Sequence, residues 1–464
     1  MTEIVSTVSD ALWAYVLIAA LLGTALWFTI KTRGVQFRMI GEMFRLLGDS
    51  ASKHDKGGKH VSSFQSFAVS VATRVGTGNL AGVATAIAVG GPGAVFWMWV
   101  VALLDSSTAF VESTLAQLFK KKSKDSFIGG PAYYILKGLR MPWLSSLFAI
   151  LISLTFGLSY NSIQSNTVCD AFNVAFGFDP RIVGCILAVI SLAVVFGGIQ
   201  RIAKVSSVIV PVMAIGYLVL AMYVIISRME LFPKVFALIF ENAFGIRQIA
   251  GGGIGATIMN GVKRGLFSNE AGEGSAPNVA ATASTSHPVK QGLIQALGVF
   301  TDTLLVCSCT AFIILFGSVD AASSGLNGIA LTQASLESEI GPFGKYFVAL
   351  AIFLFAYSSI IGNYFYGEVN IRFLTKKKYV LSIYRVLSGG VAVVLGAFAS
   401  LDLVWSIGDL FMALLTACNL FAISLLCRYA FRLLDDYCRQ KRAGVKDPVF
   451  HRSMFPELKL DCWE

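Results

Sequence analysis

VATRVGTGNLAGVATAIAVGGPGAVFWMW, residues 71–99, is an apolar stretch of membrane length that carries its glycines in the middle. An interior glycine costs a helix roughly 1 kcal/mol relative to alanine. Here Gly76 and Gly78 bracket Thr77 immediately before the amide of Asn79. The stretch therefore predicts a helix that breaks over residues 75–79. Backbone N–H and C=O groups released at mid-membrane depth must be buried by protein or face a cavity, so the break predicts a ligand site. Two blander readings compete. Gly78 and Gly82 have the spacing of close-packed membrane helix pairs. G-T-G-N-L-A-G also looks like a dinucleotide fingerprint, but it has one residue too many before its last glycine and no short strand in front of it.

The 464 residues are 55% hydrophobic and only 14% charged, with a mean hydropathy of +0.70. An all-α polytopic membrane protein in the lipid bilayer follows. At about 20 apolar residues per crossing, eleven spans are expected, over residues 11–30, 62–89, 94–118, 144–167, 182–198, 205–227, 249–283, 291–317, 346–369, 379–399 and 404–427. MTEIVSTVSD carries acids where a signal peptide needs positive charge, so the first span is expected to stay. The eight cysteines lack paired spacing and accompanying histidines, which argues against a disulfide framework or a metal cluster. The net charge of +10 orients the chain and does not point to nucleic acid. With the amino terminus outside, the inside loops and tail hold 28 Lys and Arg, and the outside loops hold five: Arg181, Arg228, Lys234, Arg247 and Lys345. That is the positive-inside pattern of a cell (inner) membrane protein with a cytoplasmic carboxyl terminus.

Taken in order, residues 1–60 read as an extra apolar span, a peripheral anchor without chemistry, followed by a basic loop whose amphipathic part suits a lipid surface. Residues 61–228 hold the first break, and Trp97 and Trp99 beyond it fit an interfacial aromatic belt. Residues 229–427 hold the second, in AGGGIGATIMNGVKRGLFSNEAGEGSAPNVAATASTS, residues 250–286, which is too long for one straight crossing. Two half-helices joined by unwound SNEAGEG, residues 268–274, fit better, with Pro277 in the first turn of the new helix. Glu270 and Glu273 are expensive at that depth, and Arg74, Lys263 or Arg264 are the expected counter-charges. Five spans separate the breaks. The two broken helices therefore run in opposite directions, as a five-plus-five inverted repeat requires, with the first span left over. Span four carries SYNSIQSN, with Asn161, Gln164, Ser165 and Asn166 within two turns. Its counterpart, span nine, carries Ser358, Ser359 and Asn363. Helix–helix hydrogen bonding and ligand contact both remain open for these polar runs. Residues 428–464 read as a solvated cytoplasmic tail.

VGTGNLAGVATAIAVGGPGAVFWMW and KRGLFSNEAGEGSAP resemble the two signature stretches of the alanine/glycine:cation symporter family, the sodium:alanine symporters. The resemblance covers nearly the whole chain. It implies a leucine-transporter-type fold with one extra helix, and cotransport of a small neutral amino acid with a cation, usually sodium. Val75 to Asn79 match the broader fold's first break, and Ser358 and Ser359 match its hydroxyl pair. Arg74 departs from the small residue usual there.

Substrate is expected between the breaks. Its carboxylate would lie at the N–H groups of Gly76, Thr77, Gly78 and Asn79, its ammonium at carbonyls around Phe267, Ser268, Asn269, Ala271 and Gly272, with Gln164 closing the site. A sodium site is expected from Ser358 and Ser359 with the carbonyls of Ala72 and Val75, because hydroxyl and carbonyl oxygens suit a hard cation. Proton coupling, the choice among alanine, glycine and serine, and the oligomeric state stay open, and no organic cofactor is implied. A channel or uniporter on the same scaffold is the alternative. An intramembrane enzyme is a weaker one, since His54, His60, His287 and His451 fall in loops or the tail and no nucleophile–base pair is visible.

Overall fold

The computed structural model describes residues 2–49, 61–123, 127–245 and 253–463. His54, His60, Arg247 and residues 250–252 of the second glycine-rich stretch lie outside the described residues. What is described is almost entirely helical, with one two-residue strand pair, Lys121–Lys122 with Phe127–Ile128.

Among the described residues, seven helices are long and apolar enough to cross a membrane unaided: Val5–Lys31, Gly93–Leu118, Pro142–Phe176, Pro288–Phe316, Phe343–Leu374, Lys378–Phe398 and Leu401–Arg442. They are spans one, three, four, eight, nine, ten and eleven. Span six is Gly198–Ser227 and span five is the shorter Pro180–Val195. The remaining two are the broken ones. Span two consists of Ser63–Arg74 and Gly78–Gly90, and span seven of Gly253–Asn269 and Ala276–Ala280. Each half is too short to cross, so a count by helix length falls short of a count by apolar stretches.

The breaks have local causes. Val75 leaves the helix at φ −76°, ψ 88°, and the Asn79 side chain accepts the Gly76 N–H at 2.9 Å in place of a helical carbonyl. In span seven Glu270, Gly272 and Gly274 take φ of +56°, +94° and +81°. Left-handed residues at that density cannot continue an α-helix, and the non-glycine Glu270 stores about 1–3 kcal/mol of backbone strain. Pro277 then opens the second half.

The repeat is visible in the packing. The two breaks abut, span three packs along span eight, span four along span nine, and span five along span ten. Each of these spans thus touches its own counterpart, which is consistent with a two-fold relation between oppositely directed halves. Span one stands outside this pairing but is no mere peripheral anchor. Its Trp13, Leu21 and Phe28 are fully buried, Trp13 Nε1 donates to Asp409 O at 3.1 Å, and Asp10 pairs with Lys263 at 2.6 Å.

Several segments that read as loops are helical, among them Ile40–Asp49, Phe232–Ala243 and Gly328–Ile340. Phe232–Ala243 receives the Trp97 indole N–H on Ala243 O at 3.2 Å, and Trp99 Nε1 donates to Ser308 at 2.8 Å, so both tryptophans are bonded within the protein. Gly328–Ile340 covers the first broken helix, with Thr332 donating to Leu80 O at 3.1 Å.

The tail is docked and not solvated. Trp463 Nε1 reaches Leu118 O at 3.1 Å, Phe450 N–H donates to Ser286 O at 2.9 Å, and Phe450, Phe455 and Trp463 are buried together. Beneath them His287 is fully buried. Its Nδ1 accepts the Val289 N–H at 3.2 Å and its Nε2 lies 3.4 Å from Asp436. Burial holds the imidazole below its ordinary pKa, so the folded state keeps it neutral. The unfolded chain takes up this proton first as pH falls through about 6.5, so this contribution to stability is complete above that pH and shrinks below it. We expect the thermal midpoint in detergent to fall between pH 7.5 and 5.5, and to fall less in His287→Gln. Equal slopes would remove His287 as the cause.

Candidate functional site between the two helix breaks

The first break presents the start of a half-helix, whose free N–H groups and dipole favour a negative or oxygen-bearing group. Gly76 N–H is held by Asn79 Oδ1, and Thr77 N–H donates to Gln164 Oε1 at 3.1 Å. Gln164 thus leaves its neighbours in the polar run. Asn161, Ser165 and Asn166 all bond to span ten: Asn161 to Ser388 at 3.1 Å, Ser165 to Val393 O at 2.6 Å and Asn166 to Gly396 O at 3.0 Å. One member of the run caps the break and the other three fasten helices.

The second break lies directly against the first. A Cβ at Gly78 would sit 3.0 Å from the Phe267 ring and 3.1 Å from Ser268 Cα, so glycine is what lets the two backbones meet. Phe267 packs between Tyr160 and Trp405, with ring centroids 4.8 Å away on both sides. Asn79 Nδ2 donates to Ser268 Oγ at 3.1 Å. Gly76, Thr77, Gly78, Asn79, Gln164, Phe267 and Ser268 are therefore one constellation. Asn269 and Ala271 belong to the buried turn behind it, where Asn269 Oδ1 accepts the Ala271 N–H at 2.9 Å. Gly272 looks the other way: a Cβ there would meet Leu21, Leu420 and Thr108, on spans one, eleven and three.

Asp302 of span eight is the residue that the reading of the sequence left without a role. It is fully buried and accepts hydrogen bonds from Asn79 Nδ2 at 2.6 Å, Ser268 Oγ at 2.5 Å and Thr303 Oγ1 at 2.9 Å. Its carboxylate ties one break to the other. A carboxylate in the middle of an apolar span is itself a functional signal, but its tie to Asn79, 223 residues away, is not written in local sequence.

A second oxygen cluster adjoins the first break. Ser358 Oγ lies 3.2 Å from Ala72 O, and Ser359 Oγ lies 3.1 Å from both Ala72 O and Thr73 O. The carbonyls that meet the serines are those of Ala72 and Thr73, while Val75 is buried one step beyond. A Cβ at Gly76 would fall 2.5 Å from Ser359 Oγ, so this glycine admits the hydroxyl.

The expected ion pairs of Glu270 and Glu273 are not formed. Arg74 Nη1 donates to Gln295 O at 3.2 Å, Lys263 pairs with Asp10, and Arg264 pairs with Asp409 at 2.5 Å. The reason is placement: Lys263 and Arg264 sit in the half-helix before the break, where spans one and eleven supply nearer carboxylates. Glu270 instead accepts from Ser275 Oγ at 2.6 Å, and Glu273 from Tyr160 OH at 3.1 Å.

The profile of the sodium:alanine symporter family matches residues 1–452. The chain belongs to that family. It is 51% identical over its full length to the probable sodium/glutamine symporter GlnT of Bacillus subtilis, covering 96% of that protein. To the sodium/alanine symporter AgcS of Methanococcus maripaludis it is 36% identical, covering 91% of this chain and 94% of that one. Among solved structures it resembles a manganese transporter of Eremococcus coleocola, with TM-score 0.57, 13% identity and coverage of 83% of this chain and 87% of that one. It also resembles a Na+-coupled sialic acid symporter, with TM-score 0.50, 15% identity and coverage of 88% and 86%. The structural likeness fixes the fold, an inverted repeat with two broken helices. The protein is a multi-pass membrane transporter, a cation-coupled amino-acid symporter and not an enzyme.

Asp302→Ala leaves two buried donors of the site, Asn79 Nδ2 and Ser268 Oγ, short of an acceptor at about 1–3 kcal/mol each. We expect amino-acid uptake into proteoliposomes to fall at least tenfold with the protein still monodisperse in detergent. Unchanged uptake would remove Asp302 from the site.

Proposed function

We propose that the protein imports a small neutral amino acid, alanine or glycine, together with sodium by alternating access. The observation that carries this reading is the Gln164 carboxamide oxygen on the Thr77 N–H, 3.1 Å away at the head of a half-helix. An amide oxygen stands there in the place suited to the oxygen of a substrate carboxylate, which the helix dipole would hold more strongly. The ammonium then faces the carbonyls of the second break around Phe267. Small size follows from the glycines. A Cβ at Gly76 would fall 2.5 Å from Ser359 Oγ and one at Gly78 3.0 Å from the Phe267 ring, and breaks packed this closely favour a small substrate between them.

Glutamine is the second reading, favoured by the 51% identity to the probable sodium/glutamine symporter GlnT. Uptake of labelled alanine, glycine, serine and glutamine into proteoliposomes, under imposed sodium or proton gradients, separates the two. Sodium-driven accumulation of alanine or glycine above the outside concentration supports the proposal and excludes a channel or uniporter. Accumulation of glutamine alone overturns the small-substrate reading.

We assign sodium to the oxygen cluster of Ser358 and Ser359 with the backbone carbonyls of Ala72 and Thr73, the latter in place of the Val75 carbonyl expected from the sequence. The competing role for the serines is plain helix–helix hydrogen bonding, worth about 0.6 kcal/mol on average in membrane proteins. Replacing both serines by alanine is expected to raise the sodium concentration for half-maximal uptake several-fold, with amino-acid affinity at saturating sodium near normal. An unchanged sodium dependence would place the ion elsewhere. For topology, a single cysteine at Lys122 is expected to be labelled from the cytoplasmic side only.

A further inference from the structure

A carboxyl group inside an apolar span calls for a reason, because hydrocarbon solvates it poorly. Glu112 of span three is such a group, fully buried and outside the constellation described above. Thr108, one helical turn before it, meets the second break, where a Cβ at Gly272 would come 3.5 Å from the threonine methyl. Glu112 itself lies against the unwound turn: the N–H groups of Gly272 and Gly274 face its carboxyl group. Its Oε2 accepts from Asn419 Nδ2 at 2.9 Å, and its Oε1 is buried without a side-chain donor.

Helix geometry says what this contact does to the turn. In a continued α-helix each N–H donates to the carbonyl four residues back, so the Ala271 N–H would go to Phe267 O and the Gly272 N–H to Ser268 O. Glu270 N–H still reaches Leu266 O at 2.8 Å. Beyond it the donors change partners. Ala271 N–H goes to Asn269 Oδ1 at 2.9 Å, and the Gly272 N–H turns to Glu112. The carbonyls of Phe267 and Ser268 lose their helical partners, and these are the two residues that meet Gly78 of the first break. Asn419 of span eleven completes the hold. Its Nδ2 also donates to Gly272 O at 2.9 Å, and its Oδ1 accepts the Tyr134 hydroxyl, which fixes the direction of the amide.

We propose that Glu112 is a positioning residue of transport: by drawing the Gly272 and Gly274 N–H groups toward span three, it keeps the Ser268 carbonyl out of the helix and open to the substrate's ammonium. The inference rests on the symport reading above and deepens it. It also accounts for the direction in which the substrate lies. The N–H groups of the first break are held by carboxamide oxygens, which a substrate carboxylate outcompetes through its charge; at the second break the protein's own carboxylate already holds the place, and a second one gains nothing there. The competing role for Glu112 is to fasten span three to span eleven through Asn419 and nothing more.

The test uses the full-length transporter in proteoliposomes and the amino acid that the uptake panel identifies. Glu112→Ala is expected to raise its KM roughly tenfold or more. The sodium concentration for half-maximal uptake at saturating amino acid is expected to stay within about twofold, because the serine pair meets the first break and not the second. Glu112→Gln keeps an acceptor oxygen for the N–H groups and is expected to recover most of the loss in KM, which a role confined to packing would not predict for KM alone. Without substrate, amide hydrogen exchange over residues 268–275 is expected to quicken in Glu112→Ala while spans four and ten stay protected. If Glu112→Ala does not fold, Asn419→Ala serves, with a several-fold rise in KM and the same local exchange expected. A KM within about twofold of wild type, a loss that Glu112→Gln does not relieve, or unchanged exchange over the turn overturns the proposal. A wild type that accumulates no amino acid sinks the symport reading instead, and the exchange measurement still decides whether Glu112 holds the turn.

Discussion

Unwound backbone inside a bilayer needs internal hydrogen-bond partners, because hydrocarbon supplies none. In this protein the partners are carboxamides. Asn79 Oδ1 takes the Gly76 N–H, Gln164 Oε1 the Thr77 N–H and Asn269 Oδ1 the Ala271 N–H. On the acceptor side, Asn419 Nδ2 serves Gly272 O, and Asn278 Nδ2 serves both Gly274 O and Ser275 O at 2.9 Å. An amide can satisfy either kind of backbone group without bringing a net charge into the membrane. Both breaks are held open in this way, and the rest of the site depends on their staying open.

The glycines of the first break do separate jobs on separate faces. Gly76 admits Ser359 and Gln164, and Gly78 admits Phe267 and the backbone of Ser268. Side chains from spans four, seven and nine therefore converge on three consecutive residues. A substitution at either glycine would disturb a different cluster, which makes the stretch sensitive to any added side chain.

Much of this was legible in sequence because its causes are local. Glycines inside an apolar stretch, a proline at the start of a half-helix and the parity of basic loops are read residue by residue, and they gave the eleven spans, the inverted relation and the two breaks. The pairings were not legible. Asp10 with Lys263, Arg264 with Asp409 and Asp302 with Asn79 join residues far apart in the chain, and nothing near Lys263 says that span one carries its counter-charge. The helices Phe232–Ala243 and Gly328–Ile340 escaped because they are only 12 and 13 residues long, so no run of membrane length marks them. The docked tail escaped for the opposite reason: its mixed charge reads as solvated, while the aromatic residues spaced among the charges do the packing.

The hydrogen bonds also divide the helices around the site into two bodies. Asp302 and Ser268 bind span eight, the second break and Asn79 of the first into one unit. Asn161, Ser165 and Asn166 bind span four to span ten, and Asn363 Nδ2 donates to Asn161 Oδ1 at 3.1 Å, which joins span nine to the same unit. Polar contacts between the two bodies include Gln164 with Thr77, the serine pair with Ala72 and Thr73, Thr73 with Tyr366 at 2.7 Å, Tyr160 with Glu273, and Asn370 with Asn278 at 3.0 Å. Such contacts are individually weak, about 0.6 kcal/mol on average in membrane proteins, so a ligand that takes them over can change how firmly one body holds the other. Thr77 with Gln164, assigned to the substrate carboxylate, and the serine pair with Ala72 and Thr73, assigned to sodium, lie on this boundary. A ligand bound within one body would move with it and couple to nothing; bound across the boundary, it contributes its binding free energy to the relative position of the two, which is the physical requirement for linking an ion gradient to an amino acid.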